Sequence, residues 1–333
     1  MAKITLVIGA GANKEIHPGI DLGGELITNI SNRVTDRTSP HARNLSNALE
    51  RDFPEYNLEV RTNFLRFLDN YIGSAKNPSI DEFLNEVETF PEFQNQRNQF
   101  LEIGLLMILA HVIGWEGSTT VDNIAKELKA EKTWLSILAK FIESNSLCIE
   151  EGNFNVITFN YDRIFEYFLL KRIPTLAQKF VKKHVHHVYG RMAKLEGLES
   201  AYDGEQSVEF GRDNSEFKEI VKLKDNIKLI RQSIDTEAIK EIIEKSGRVI
   251  FFGYGFDPIN NTRIGLNRWG GKVDQNLIFN IYHGGLPDFN FSSRRNVAEK
   301  VRNIRIDADI QYLSSHDFLN YALNGIRINI TAK

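Results

Sequence analysis

Cysteine is nearly absent. The chain has one, Cys148, in 333 residues. That excludes a disulfide framework and any zinc module built on several cysteines. It fits a reducing compartment, and the expected location is the cytoplasm. An excess of one charge is also lacking. The formal net charge is −3 and the pI is ≈ 6.3, which argues against a dedicated nucleic-acid binder. The basic region, apolar run and cleavage site of a secretory leader are not seen near Met1. The most apolar stretch, LEIGLLMILAHVIGW from Leu101 to Trp115, carries Glu102 and His111. It is shorter than a bilayer span, so a buried helix is expected rather than a membrane segment. Internal repeats and low-complexity segments are missing as well.

What is present is a core. Hydrophobic residues make up 42% of the chain, and 22 of them are Phe. Residues Ile4 to Ile8 form a continuous apolar run, as a central parallel strand covered on both faces would. Gly9-Ala10-Gly11-Ala12 follows, then helical spacing from Leu22 to Ile30. Ser79-Ile80-Asp81-Glu82 reads as a capping box opening a helix. Helices are expected over 100–112 and 120–144. Strand signals return at Phe154–Phe159, Lys183–Tyr189, Val249–Phe252 and Asn276–Tyr282, with short strands at Ile304–Ile306 and near Ile310. Helical segments are expected at Arg163–Leu170, Thr236–Lys245 (stopped by Gly247), Asn290–Ile304 and Ser315–Leu323, with surface loops over most of 191–235.

Strand, polar or glycine turn, helix is the repeating unit. It predicts an α/β fold: a Rossmann-like, doubly wound parallel sheet with an inserted helical region. The expected division is a sheet domain of residues 1–30 and 150–333, with a mostly helical insertion over 31–149 packed on it. Such sheets bind ligands at the carboxyl ends of their strands. Five turns there hold suspicious residues: Gly9 to Asn13, Asn160 to Asp162, Tyr189-Gly190, Gly253 to Asp257 and His283 to Gly285.

Each turn has a bland reading beside the functional one. The GAGAN turn can bring amide groups to a diphosphate, although Lys14 stands where a dinucleotide fingerprint has its third glycine. It can also be a plain tight turn. In TFNYD, Asn160 offers a donor and an acceptor on one short amide, suited to a ribose hydroxyl and a water. Asn160 or Asp162 can equally cap the next helix. In KKHVHHVYG, a strand would put His184 and His186 on one face and His187 and Tyr189 on the other. No carboxylate or cysteine adjoins them, so structural histidines are favoured over a metal site. His187 as an acid or base is the functional reading. GYGFDP can line a cofactor or form an ordinary loop with an Asp-Pro turn. Lys179, Lys182 and Lys183 read as a solvated face, and Cys148 as buried.

Taken in order, GAGAN, SIDEFL, TFNYD, H-V-Y-G and FFGYGFD resemble the motif set of prokaryotic sirtuin-like proteins across residues 4–260. The likeness is to the zinc-free sirtuin-like NAD hydrolases of bacterial anti-phage defence, not to the zinc-bearing deacetylases. The resemblance implies NAD as substrate or ligand and no zinc. It implies that Gly9, Ala10, Gly11 and Ala12 bear the NAD diphosphate, with Asn13 at a position where many relatives have serine. Asn160 would be the active-site asparagine, and Asp162 would support the ribose or its loop. Gly253, Tyr254, Gly255, Phe256 and Asp257 would cover the adenosine half. The family has histidine directly before the glycine of the third motif. This chain has Tyr189 before Gly190, and His187 two residues earlier.

Four readings stay open. The first is a glycohydrolase releasing nicotinamide and ADP-ribose, with Asn160, His187 and Tyr189 as catalytic candidates and a homo-oligomer or partner defence subunit restraining it. The second is a non-catalytic NAD or ADP-ribose sensor or regulatory subunit. A lysine deacylase is disfavoured by the cysteine count. A hydride-transfer dehydrogenase is disfavoured because Asp36 follows no clear second strand.

Overall fold

In a computed structural model of the chain, the described residues are 3–21, 23–35, 58–75, 79–89, 91–146, 149, 152–198, 207–211, 222–229, 234–266, 276–280, 309–311 and 315–323. Cys148, Asp36, His283 to Gly285 and the helix expected at Asn290–Ile304 lie outside them, as do Ile304–Ile306. The chain forms two compact units. One comprises Met1–Ile20, Glu116–Gly211 and Ser233–Lys333, and the other Asp21–Trp115 and Arg212–Gln232.

The first unit holds a six-stranded sheet. Its strands are β1 (Lys3–Ile8), β2 (Phe154–Thr158), β3 (Val185–His187), β6 (Ser246–Phe252), β7 (Asn276–Asn280) and β8 (Asp309–Gln311), in the order β3-β2-β1-β6-β7-β8. Every neighbouring pair is parallel. A parallel sheet with intervening helices is consistent with a Rossmann-like α/β fold. Counting only these strands, the order is 3-2-1-4-5-6, which reverses direction between β1 and β6. β4 (Lys194–Leu195) and β5 (Ser207–Val208) pair separately. The central strands are buried on both faces, with Leu6, Val7, Val156, Ile157, Ile250 and Phe251 all fully covered. That is why their sequences run apolar without alternation.

The second unit is helical: α1 (Gly23–Thr35), α2 (Leu58–Ser74), α3 (Ile80–Thr89) and α4 (Arg97–Trp115). Its core is aromatic. Phe64 meets Phe83 and Phe100 edge-on, at 5.5 and 5.6 Å between ring centres. Ser79 Oγ accepts the Glu82 amide at 3.1 Å, so Ser79 caps α3 as the sequence indicates, while Glu82 Oε2 accepts the Tyr71 hydroxyl at 3.2 Å. The helix through Leu101–Trp115 begins earlier than its apolar run and reaches 19 residues. Among the described residues it is the one helix long and apolar enough to cross a membrane. Of its most apolar window, 56% is buried within the protein.

The remaining helices belong to the sheet unit: α5 (Ser118–Ala130), α6 (Trp134–Ser144), α7 (Ile164–Arg172), α8 (Pro174–His184), α9 (Glu237–Glu244), α10 (Pro258–Arg263) and α11 (Ser315–Leu323). The unit boundaries therefore differ from the expected insertion at 31–149, since α5 and α6 go with the sheet. The reason is a set of buried anchors. Trp134 Nε1 donates to the Ala12 carbonyl at 2.9 Å, and its ring packs on Phe165 and Phe252. Asn123 Nδ2 donates to the Ile16 carbonyl at 2.8 Å. Glu127 joins α5 to α6: its carboxylate accepts the amides of Thr133 (2.8 Å) and Lys132 (3.2 Å) and the Ser136 hydroxyl (2.6 Å).

Two further boundaries moved. α9 stops at Glu244, and Gly247 lies inside β6. Opposite Lys3 and Ile4 the register passes from Ser246 to Arg248, so Gly247 is the bulged residue rather than a helix stop. The strand expected over Lys183–Tyr189 is three residues long, because α8 continues through His184. His184 and His186 therefore do not share a strand face.

Candidate functional site

Four strands end in one row. Ile8 pairs with Thr158 and with Phe252, and Thr158 pairs with His187. Backbone bonds carry the row one residue further, from Phe159 N to Ile8 O (3.0 Å), Val188 N to Thr158 O (2.9 Å) and Gly9 N to Phe252 O (3.0 Å). Because the strands are parallel, the turns after β1, β2, β3 and β6 lie along the same edge of the sheet. Four of the five suspect turns gather there.

The β1 and β6 turns interlock. A Cβ on Gly9 would stand 2.3 Å from the Gly253 carbonyl oxygen, and a Cβ on Gly253 would stand 2.1 Å from the Ala12 nitrogen. Gly253 also has φ +62°. The contact engages amides that the resemblance assigns to a diphosphate. Gly9 N donates to Phe252 O, Gly11 N to Gly253 O at 3.1 Å, and Ala12 N to Gly9 O at 3.0 Å. This corrects the expectation for those three groups, which already have protein acceptors.

Residues 10–15 form a 3-10 turn that buries Asn13. Asn13 Nδ2 donates to Asp162 Oδ1 at 2.8 Å, tying the β1 turn to the β2 turn. Asp162 Oδ1 also accepts the Ile164 amide at 3.1 Å, so Asp162 serves the start of α7. Its carboxyl is raised from 3.8 to about 7. Burial is the largest cause, followed by the charge of Glu116, and Glu166 adds to it.

Asn160 is held by its backbone. Its amide donates to Thr158 Oγ1 at 3.1 Å, and its carbonyl lies 3.2 Å from His187 Nδ1. Asn160 is 7% exposed and Asn13 2%. In both, the carboxamide oxygen is buried and finds no donor among the described residues. A buried acceptor without a protein donor is costly unless a water or a ligand supplies one.

His187 faces inward. Its Nε2 is 2.5 Å from Glu166 Oε1, and both side chains are 3% exposed. Glu166 is a functional candidate that sequence reading missed. It sits on α7, four residues past Asp162. Burial pushes its carboxyl up, but His187's charge and hydrogen bond, with Arg191's charge, outweigh this and leave it below the usual range. His187 is thus engaged at both nitrogens and is not a free base.

No family model matches this sequence. The curated proteins contain no match to it either.

Tyr189 lies beyond the end of β3, so it and His187 are not alternate residues of one strand. Its hydroxyl donates to Asn260 Oδ1 on α10, and the Arg263 guanidinium lies 5.4 Å from its ring centre. Gly190, with φ +76°, makes the turn that follows. In the β6 turn, Tyr254 and Phe256 are 2% and 1% exposed and pack on Phe251 and on each other. The Tyr254 hydroxyl donates to Asn261 Oδ1 at 3.0 Å. Burial holds this phenol well above its ordinary range. Asp257 accepts the amides of Ile259 (2.9 Å) and Asn260 (3.1 Å), so it caps α10. Gly255 is exposed. The rings expected to cover an adenosine are core residues in this structure, and the carboxylate is a helix cap.

Among the described residues no group of three His, Cys, Asp or Glu side chains is arranged to hold a metal. His184 lines a groove with Lys179, Lys183, Phe180 and Ile142, on α6 and α8. Burial drives the His184 and His186 rings toward the neutral form, His186 to about 4.

Proposed function

We propose that the chain is a nicotinamide dinucleotide hydrolase. In this reading the dinucleotide lies at the strand ends where the sheet order reverses between β1 and β6. The observation that carries the reading is Asn160. Its backbone is bonded at both ends, while its buried carboxamide oxygen has no donor among the described residues. That oxygen fits a ribose hydroxyl or the attacking water, and Asn13 offers a second acceptor of the same kind. The diphosphate, in contrast, cannot use the engaged amides of Gly9, Gly11 and Ala12.

The chemistry asks little of a base. The bond from the ribose C1′ to the ring nitrogen breaks, and nicotinamide leaves as a neutral molecule because its nitrogen was cationic. Water adds to C1′, one proton goes to solvent, and ADP-ribose is the second product. Asn160 orients the water and the ribose. The sirtuin-like resemblance supports a defence role in which NAD is depleted and an oligomer or partner restrains the activity.

The test is chromatography of nicotinamide and ADP-ribose after incubation with NAD. Asn160→Ala is expected to lower release by about 100-fold with little change in melting temperature, since the lost oxygen bonds nothing among the described residues. Undiminished hydrolysis in that variant would refute the assignment.

A second reading, a binding-only sensor of NAD or ADP-ribose, is favoured by Tyr189. The family's histidine position is held here by a tyrosine bonded to Asn260. Tight ADP-ribose binding with no release of nicotinamide would select it.

A further inference from the structure

We infer that Glu166 is a positioning residue that sets the Asn160 loop through His187. The inference rests on the proposed hydrolase for its link to turnover, but its physical core stands apart from it. Three observations carry it. His187 Nε2 meets Glu166 Oε1 at 2.5 Å, with both side chains buried. His187 Nδ1 meets the Asn160 carbonyl at 3.2 Å. The remaining backbone group of Asn160, its amide, is bonded to Thr158.

A carbonyl oxygen and a carboxylate are both acceptors. Each ring nitrogen of His187 must therefore carry a proton to satisfy both, and the ring is an imidazolium. A neutral ring has one N–H. It would leave either the Asn160 carbonyl without its donor or the carboxylate facing a lone pair. Glu166 supplies the charge that keeps both protons in place, and a charge-assisted bond in a water-excluded setting holds its geometry firmly. The other charged or titratable groups acting on this pair are Arg191, which favours the Glu166 carboxylate, and Asp162 and His186, whose own titrations Glu166 and His187 shift. With Thr158 on one side and His187 on the other, the Asn160 backbone is fixed and only its carboxamide remains open to a ligand.

Nitrogen-15 NMR of the histidine rings in the full, unliganded chain tests the clamp, with His187→Gln used to assign the resonance. Two N–H signals from His187 at pH 7 are expected, and one in E166Q, whose amide can donate to Nε2. Turnover then tests the positioning role. E166A is expected to lose about tenfold or more in kcat, since small displacements of reacting groups are expensive, with KM changed less than threefold. E166Q keeps Nδ1–H on the Asn160 carbonyl and is expected to recover to within about threefold. A single N–H on His187 in wild type would overturn the clamp. So would an E166Q variant as impaired as E166A. If wild type releases no nicotinamide, the hydrolase reading fails, while the NMR result still decides the clamp and ADP-ribose affinity of E166A against E166Q replaces kcat as the measure of positioning.

Discussion

Gly253→Ala is the sharpest probe of the strand-end architecture. Two penalties combine there. The residue has φ +62°, and a side chain in the left-handed region costs about 1–2 kcal/mol. The new Cβ would also lie 2.1 Å from the Ala12 nitrogen and 2.7 Å from the Gly11 carbonyl carbon. Both are backbone atoms, so relief requires moving a whole turn, at about 1–3 kcal/mol. Together these give roughly 2–5 kcal/mol. At about 2–4 °C per kcal/mol for a unit of this size, a thermal melt should drop by ~10 °C. Gly9→Ala meets the Gly253 oxygen at 2.3 Å, but its φ of −110° adds no left-handed strain, so its loss should be smaller. Gly255→Ala is the internal control, since no atom of the described residues lies within 4 Å of its Cβ. It should melt within a few degrees of wild type. The reasoning also has a functional arm. Displacing Ala12 displaces Asn13, and the 2.8 Å bond to Asp162 is lost. Ligand binding should therefore weaken in Gly253→Ala even below its melting point. Identical melts for Gly253→Ala and Gly255→Ala would refute the interlock.

Other outcomes follow from the buried polar groups. Asp162 ionises from about pH 4 in the unfolded chain but only near 7 in the folded one. Raising pH through that window therefore favours unfolding, by up to a few kcal/mol. Asp162→Asn should remove this part of the dependence, so the gap between variant and wild-type urea midpoints should widen from pH 5 to pH 8, and a constant gap would count against it. Arg163 and Glu116, 1% and 2% exposed, pair at 2.5 Å, and Arg163 also donates to the carbonyls of Lys194 and Val208 at 2.7 Å. Arg163→Met alone should cost about 3–5 kcal/mol, and Glu116→Leu in the same chain should restore a substantial part, as measured by a double-mutant cycle. Glu127→Ala removes the acceptor for two amides and a hydroxyl at the start of α6 and should cost about 2 kcal/mol in chemical denaturation, with Glu127→Gln retaining part.

The sheet was legible because its strands carry their burial in their composition. Ile4–Ile8 and Val249–Phe252 run apolar on both faces, and no helix of that length would. α3 was legible from Ser79 and Glu82. The capping reading of Asp162 was also visible, since a carboxylate two residues before a helical amide is a local signal; the same signal at Asp257 was read only as an Asp-Pro turn. What escaped notice depends on partners far away in sequence. Trp134 reads as one more aromatic until its indole is seen on the Ala12 carbonyl, and that bond draws α6 to the sheet. Glu166 reads as a polar position on a mixed helix. Its partner lies 21 residues away, and nothing local marks it. The three-residue β3 was overrun in the reading because alternation in KKHVHHVYG mimics a strand, whereas Pro174 starts a helix that persists to His184.

Tyr189, which stands where the sirtuin-like resemblance would put a histidine, bears differently on the two functional readings once its partners are known. A tyrosine waiting to act as a base would need its hydroxyl near a proton to abstract. Here the hydroxyl donates to Asn260, and α10, which carries Asn260, is capped by Asp257 from the β6 turn. The same turn is locked to Gly9–Ala12. Tyr189 therefore ties the β3 turn to the β6 turn as Asn13 and Asp162 tie β1 to β2. Breaking the tie without removing the ring, as Tyr189→Phe does, should loosen α10 and leave the Asn160 carboxamide untouched. A hydrolase that relies on Asn160 would keep most of its turnover, because nicotinamide departs as a neutral molecule from its cationic ring nitrogen and needs no acid. A protein that relied on Tyr189 chemically would lose it. Measured nicotinamide release from Tyr189→Phe, set beside Asn160→Ala, thus separates a structural tyrosine from a catalytic one.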